Sequence, residues 1–322
     1  MNLRDYFRLG VVTLPYNIRD GDGAFAGPVM GNFNALANNF NAVVPLSVCD
    51  FRLSAVSGLA VPNSDQTAVT NIYLTPYKGN KISLFDSTGT SWNVRTSNEI
   101  AIPVPAVANQ MYDVFAFDLG GTVAINVTPW TSDLVRATTL SLQNGVYVRT
   151  ATGGYLRYLG SFRTTGVAGQ TEDSAAKRYI WNYYNRVRRN MRVNISGGTP
   201  YVYSTGVARQ ANNNPANQID FVYGVAEDLI TAQIGADVVN TVSPAFYACF
   251  VGVNGILNSN GDITPNGQFT GANIYTMIHT RWADYLNAGR NFLTWVEVGS
   301  GSGVTTWNSI SGLNCIQGEI FG

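Results

Sequence analysis

Short β-prone runs punctuated by turn residues take up most of this chain, and segments cut so finely can bury their apolar side chains only by stacking sheets. Between residues 46 and 168 the runs AVTNIYLTPY, KISLFDS, SWNVR, MYDVFAFDLG, TVAINVTPW, YVRT and YLRYLGSFRTT are separated by turn signals. These are Lys78-Gly79-Asn80, Thr88-Gly89, Leu119-Gly120-Gly121 and Gly153-Gly154. In MYDVFAFD, Tyr112, Val114 and Ala116 alternate with Asp113, Phe115 and Phe117, so both faces carry apolar residues. One face should meet the core and the other a neighbouring sheet or subunit. From residue 193 the pattern resumes in MRVNI, PYVYSTG, QIDFVYGV, SPAFYACFVGVNG, IYTMIHTRWADYL, FLTWVEVGSG, GVTTWNSI and NCIQGEIFG. Eight strands in about 130 residues is the size of one jelly-roll sandwich. The fold class that follows is mainly β: a short N-terminal helix, then two antiparallel, jelly-roll-like β-sandwich domains.

Only 12% of the residues are charged, about half the ordinary share, while 33 glycines and 17 tyrosines are present. Such a surface suits β-structure covered in an assembly better than a solvated helical protein. Twenty basic and twenty acidic residues cancel, so no long-range field draws the molecule to nucleic acid or an anionic membrane. The first twenty residues carry Arg4, Asp5, Arg8, Arg19 and Asp20 and hold no signal-peptide core, and no run reaches membrane-span length. Synthesis in a cytoplasm without secretion or membrane insertion is expected. Cys49, Cys249 and Cys315 are odd in number and far apart, which predicts buried thiols and no disulfide framework.

The one clear helical signal is VMGNFNALANNFNAV. Val29, Phe33, Leu36, Phe40 and Val43 alternate spacings of four and three, two heptads of a coiled-coil seam on an otherwise Asn/Ala-rich segment. Pro28 suits the first turn and Pro45 stops the ladder, which brackets a helix over 28–44. So short a helix is marginal alone, and its stripe is too narrow for an ordinary docked face. These five residues are therefore the expected interface of a homotrimer, with residues 1–45 an arm and trimerising helix.

Between the two β-rich stretches lies GQTEDSAAKRYIWNYYNRVRRNM. Thr171 and Ser174 can open a helical turn, and Ala175, Ala176, Tyr179, Ile180 and Tyr183 follow at helical spacing. Residues 169–192 are thus expected to form a helical connector between β-modules at 46–168 and 193–322. Six of the chain's twenty basic residues fall here, among tyrosines and a tryptophan. Trp181, Tyr183, Tyr184, Arg186, Arg188 and Arg189 form an aromatic-basic cluster with two readings. It could stack on bases and pair with phosphates, or pack at a subunit interface with its arginines on Glu172, Asp173 and neighbouring carboxylates. Overall neutrality favours the interface.

Catalytic signals are weak. His279 is the single histidine and sits in an apparent strand, so a zinc site lacks ligands. The carboxylate pairs Asp113 with Asp118, Glu227 with Asp228, and Asp284 with Glu297 could in principle serve glycan cleavage, but twenty acidic residues make such pairs common. Gly299, Gly301 and Gly303 link two apparent strands without the helix start that a phosphate cradle needs. No enzyme activity and no cofactor are expected. The loops at Asn212 to Asn214 and Asn258 to Asn266, with Trp307, offer groups of the kind that hold sugars, and make the C-terminal domain the expected face toward a host glycan or receptor.

Three segments carry a family resemblance. TLPYNIRDGDGAFAGPVMGNFNALANNFNAV resembles the opening arm and helix of tailed-bacteriophage fibre proteins. The stretches Tyr73 to Tyr77 with Gly79, Tyr112 to Phe117, Tyr158 to Thr164, Gln170 to Ser174 and Trp181 to Arg186 are similar to a module that recurs in phage tail fibres and other virion proteins. WVEVGSGSGVTTW and NCIQGEIFG resemble the closing strands of trimeric phage knobs. The resemblance implies a homotrimeric structural protein of the virion, assembled in the host cytoplasm, bound to other virion proteins through its N-terminus and acting as a tail fibre in host attachment. A head fibre or capsid decoration protein is the alternative, and a polysaccharide-cleaving tail enzyme a more remote one.

Overall fold

The computed structural model describes residues 26–43, 46–86, 91–151, 154–195, 199–256, 266–309 and 314–322. It is mainly β, with one N-terminal α-helix and several largely antiparallel sheets that form sandwiches. The helix spans Ala26–Val43, two residues earlier than the proline bracket. Pro28 therefore lies inside the first turn, where its missing N–H has no intrahelical partner to lose. The stop assigned to Pro45 lies outside the described residues.

A three-stranded sheet of Phe51–Ser54, Asn71–Pro76 and Ile100–Pro103 and the hairpin Lys81–Asp86/Ser91–Thr96 cover one face of a six-stranded sheet. That sheet contains Met111–Leu119, Thr122–Pro129, Ser141–Gln143, Val146–Ala151, Gly154–Arg163 and Ile180–Asn182. Tyr112, Val114 and Ala116 face this core with Ile72, Leu74, Ile82 and Leu84. The opposite face of Met111–Leu119 is buried too. Met111 and Phe115 belong to a second core with Trp181, Phe221 and Tyr223, so the neighbour expected there is another part of the same chain.

The second sandwich pairs an eight-stranded sheet built on Gln218–Tyr223, Gly289–Val298 and Phe246–Val253 with a six-stranded sheet. In the latter, Cys315–Phe321 lies between Arg188–Asn194 and Ile230–Asn240, and Thr276–Asp284 pairs with the other edge of Ile230–Asn240. All eight runs read from the sequence contain strands. Ile230–Asn240, at 11 residues, was not among them, although Ile230, Ala232, Ile234, Ala236 and Val238 alternate inward without a break.

The expected helical connector is corrected by the structure. Thr171–Asp173, Lys177–Arg178 and Ile180–Asn182 are strands, and Ser174 and Lys177 exchange backbone hydrogen bonds of 2.8 and 3.2 Å across a tight turn. Ala175 and Ala176 are the corner of that turn. The physical reason is burial on all sides: Tyr179, Ile180, Trp181 and Asn182 are consecutive and all buried. A helix with one apolar stripe cannot bury four successive residues, whereas a strand between two cores can.

Candidate assembly helix and aromatic-basic junction

Two features stand out as candidate sites: the apolar stripe of the helix and the aromatic-basic cluster. On Ala26–Val43, Met30 and Phe33 are 56% and 61% exposed, while Val29 and Leu36 are half-buried. The side chains of Phe40 and Val43 lie outside the described residues. Two large apolar groups thus face solvent on a helix whose polar face is mostly asparagine, an arrangement that a second helix of the same kind would cover. Just beyond it, the fully buried Arg157 guanidinium holds the chain by donating to the carbonyls of Leu46, Ser47 and Ser83 at 2.7, 3.2 and 2.8 Å.

The cluster centres on Trp181, which is completely buried between the sandwiches. Its ring packs on Tyr158, Tyr183 and Tyr223 at centroid distances of 6.5, 6.3 and 6.0 Å, and its indole N–H donates to the Phe321 carbonyl at 2.7 Å. Two glycines make room for it. A Cβ on Gly160 would stand 2.2 Å from the Trp181 carbonyl oxygen, and one on Gly224 2.3 Å from the indole ring.

Ion pairs surround this aromatic centre. Arg186 lies over the rings of Trp181 and Tyr183 and binds Glu227 at 2.9 Å and also Asp228. Arg189 is buried against Asp173 at 2.7 Å, with Arg178 on the other carboxylate oxygen at 2.9 Å. Asp113 accepts from Ser161 at 2.6 Å and from Arg136 at 2.9 Å, and Arg136 also reaches the Gly224 carbonyl. Burial pushes the Asp113 carboxyl up, against the pull of Arg136 and Ser161. Arg52 donates to the carbonyls of Gly322, at 2.8 Å, and Asn185, and burial draws it down to about 10. Tyr179 donates to Asp220 at 3.0 Å, which also binds Arg290.

This placement revises the interface reading of the cluster. Trp181 and Arg189 are spent inside one chain, where they cement its two sandwiches, and Tyr183 and Tyr184 are half-buried beside them. Of the six residues, Arg188 is the most exposed, with a 3.3 Å contact to Glu319. The arginines do pair with Asp173 and other carboxylates, but with those of their own chain.

The candidate carboxylate pairs are also committed elsewhere. Asp118 binds Arg95 at 2.6 Å, and Glu227 and Asp228 share Arg186. Glu297 is fully buried, accepting from Arg209, Tyr201 and the Asn212 backbone at 2.8, 2.5 and 3.1 Å, and burial raises its pKa. Asp284 is the exception: its described hydrogen bond is from the Tyr285 N–H at 2.7 Å. His279 projects outward from Thr276–Asp284, and the three cysteines are free and buried. Among the described residues no three metal-ligating side chains come together, and no helix is long and apolar enough to cross a membrane. Of the sugar-holding groups read from the sequence, Trp307 is buried with its N–H on the Tyr203 carbonyl, and 257–265 lies outside the described residues.

No family model and no curated protein matches the sequence. Solved structures give only faint likeness. The latent dimeric PorU of Porphyromonas gingivalis shares 9% identity at a TM-score of 0.29, over 68% of this chain and 24% of that one. The Gt strain of infectious bursal disease virus shares 11% at 0.29, over 84% and 76%. The insecticidal δ-endotoxin Cry8Ea1 of Bacillus thuringiensis shares 8% at 0.25, over 88% and 55%. At these scores the likeness carries no argument about function.

Proposed function

We propose that this protein is a structural component of a tailed-phage virion, a homotrimer whose helix gathers three copies at the particle end and whose β-sandwiches project toward the host as a tail fibre. The observation that carries the self-association is the exposure of Met30 and Phe33, 56% and 61%, on the helix Ala26–Val43. The virion assignment rests on the resemblance of residues 13–43 and of the module segments to phage fibre proteins. Its partners would be its own copies, other virion proteins at the N-terminus and a host surface glycan or receptor at the far end. Assembly would take place in the host cytoplasm, without nucleic acid, membrane insertion or a cofactor.

A head fibre or capsid decoration protein uses the same trimer and differs only in where the N-terminus is seated. A polysaccharide-cleaving enzyme is disfavoured because Asp113, Glu227, Asp228 and Glu297 are engaged by arginines. Imaging intact particles labelled at the N-terminus tests the location: label on the tail supports the fibre, and label confined to the capsid replaces it with the decoration reading.

A further inference from the structure

A cleft of about 610 Å³ opens where the turn between Thr276–Asp284 and Gly289–Val298 meets the end of Phe246–Val253 and Leu134 of the first sandwich. Tyr285 stands at its rim, 63% exposed. Beside it, one Asp284 oxygen accepts from the Tyr285 N–H, and the other has no partner among the described residues. Trp282 forms part of the apolar floor and is 2% exposed.

The walls are fixed in advance. Asn254 donates to Asn291 at 2.9 Å and accepts from the Phe292 N–H at 2.9 Å, while Asn291 donates to the Asn287 carbonyl at 2.9 Å. The Arg290 N–H donates to the Asp133 carbonyl at 2.9 Å, which ties the Leu134 side to the turn. A ligand entering here orders little.

The chemistry of the lining selects an occupant. Tyr285 offers an apolar ring face, Asp284 an acceptor and the exposed Asn287 amide a donor. A hydroxyl both gives and takes hydrogen bonds and so matches both, whereas an ammonium group cannot accept from the amide. No residue lining the cleft is basic, so an acidic sugar would face the Asp284 carboxylate without compensation. We propose that this cleft binds one neutral hexopyranose unit of an extended glycan, its C–H face on Tyr285 and its hydroxyls on Asp284 and Asn287. The proposal deepens the host-attachment reading and depends on it for its biological meaning.

Saturation-transfer NMR on the purified full chain, with maltohexaose, cellohexaose and N-acetylchitohexaose presented singly, tests it. Transfer to at least one hexaose is expected. Tyr285→Ala, at an exposed position, should remove it, and the isosteric Asp284→Asn should weaken binding about tenfold. Tyr275→Ala, exposed just before the strand Thr276–Asp284 that Tyr285 follows, should leave binding unchanged. No transfer from any of the three, transfer that survives Tyr285→Ala, or binding confined to polygalacturonate or tetralysine overturns the proposal. The two readings fail separately. A hexaose held through Tyr285 by a protein that never adsorbs to host cells keeps the site and sinks attachment; undiminished adsorption by Tyr285→Ala, with no hexaose bound, does the reverse.

Discussion

Trp181 and Phe321 are 140 residues apart in sequence, yet the indole N–H of the first donates to the carbonyl of the second at 2.7 Å. That bond joins the strand Ile180–Asn182 of the first sandwich's sheet to the end of Cys315–Phe321 in the second. The aromatic-basic segment is thus a seam within one chain, and its stability consequences can be measured.

Trp181→Ala should destabilise the protein by about 3–5 kcal/mol, the usual cost of deleting a large buried aromatic. Trp181→Phe keeps part of the packing but strands the Phe321 carbonyl and should cost less. Gly224→Ala would drive a methyl into the indole and the Tyr158 hydroxyl and should lose about 1–3 kcal/mol. Denaturant unfolding of the three variants checks the order.

The arginines of the seam should differ sharply. Arg189→Ala removes one of the two guanidinium partners of buried Asp173 and should cost about 3 kcal/mol, at the low end because Arg178 remains. Arg188→Ala, exposed beside Glu319, should change stability by no more than about 0.5 kcal/mol. Equal losses in the two variants would contradict the seam.

Glu297 gives a pH dependence. Burial holds its carboxyl above the ordinary range in the folded chain, so the folded state binds this proton more tightly than the unfolded state does. The stability gained this way is complete below the unfolded carboxylate pKa near 4.3 and is lost as pH rises through the folded value. Unfolding at pH 4.5 and 7.5 should show a smaller fall for Glu297→Gln than for the parent.

Replacing Phe33 and Leu36 together by Asp would put six carboxylates around a threefold axis. Sedimentation should show dissociation or marked loosening at the N-terminal end, with the β-sheet circular dichroism retained. An unchanged trimer would remove Val29 to Val43 as the assembly element.

Much of this architecture can be read from local pattern, and the misreadings have local causes. The helix follows from the heptad spacing and Pro28, and the double burial of Met111–Leu119 from apolar residues on both parities. Ile230–Asn240 escapes notice because Ala232, Gly235 and Ala236 depress its β character, although its alternation is strict. The connector reads as helical because Ala175 and Ala176 are good helix formers, but long-range burial of Tyr179 to Asn182 overrides that preference. The cleft at Tyr285 is illegible in sequence, since Leu134, Asn254 and Trp282 meet only in three dimensions.

Cross-linking of purified phage particles, followed by detection of this chain, tests the central claim most directly. A homotrimeric virion protein predicts a ladder that ends at three times the 34.8 kDa of one chain in the particle fraction. Absence of the chain from particles, or its presence there only at the mass of a single copy, would contradict the account.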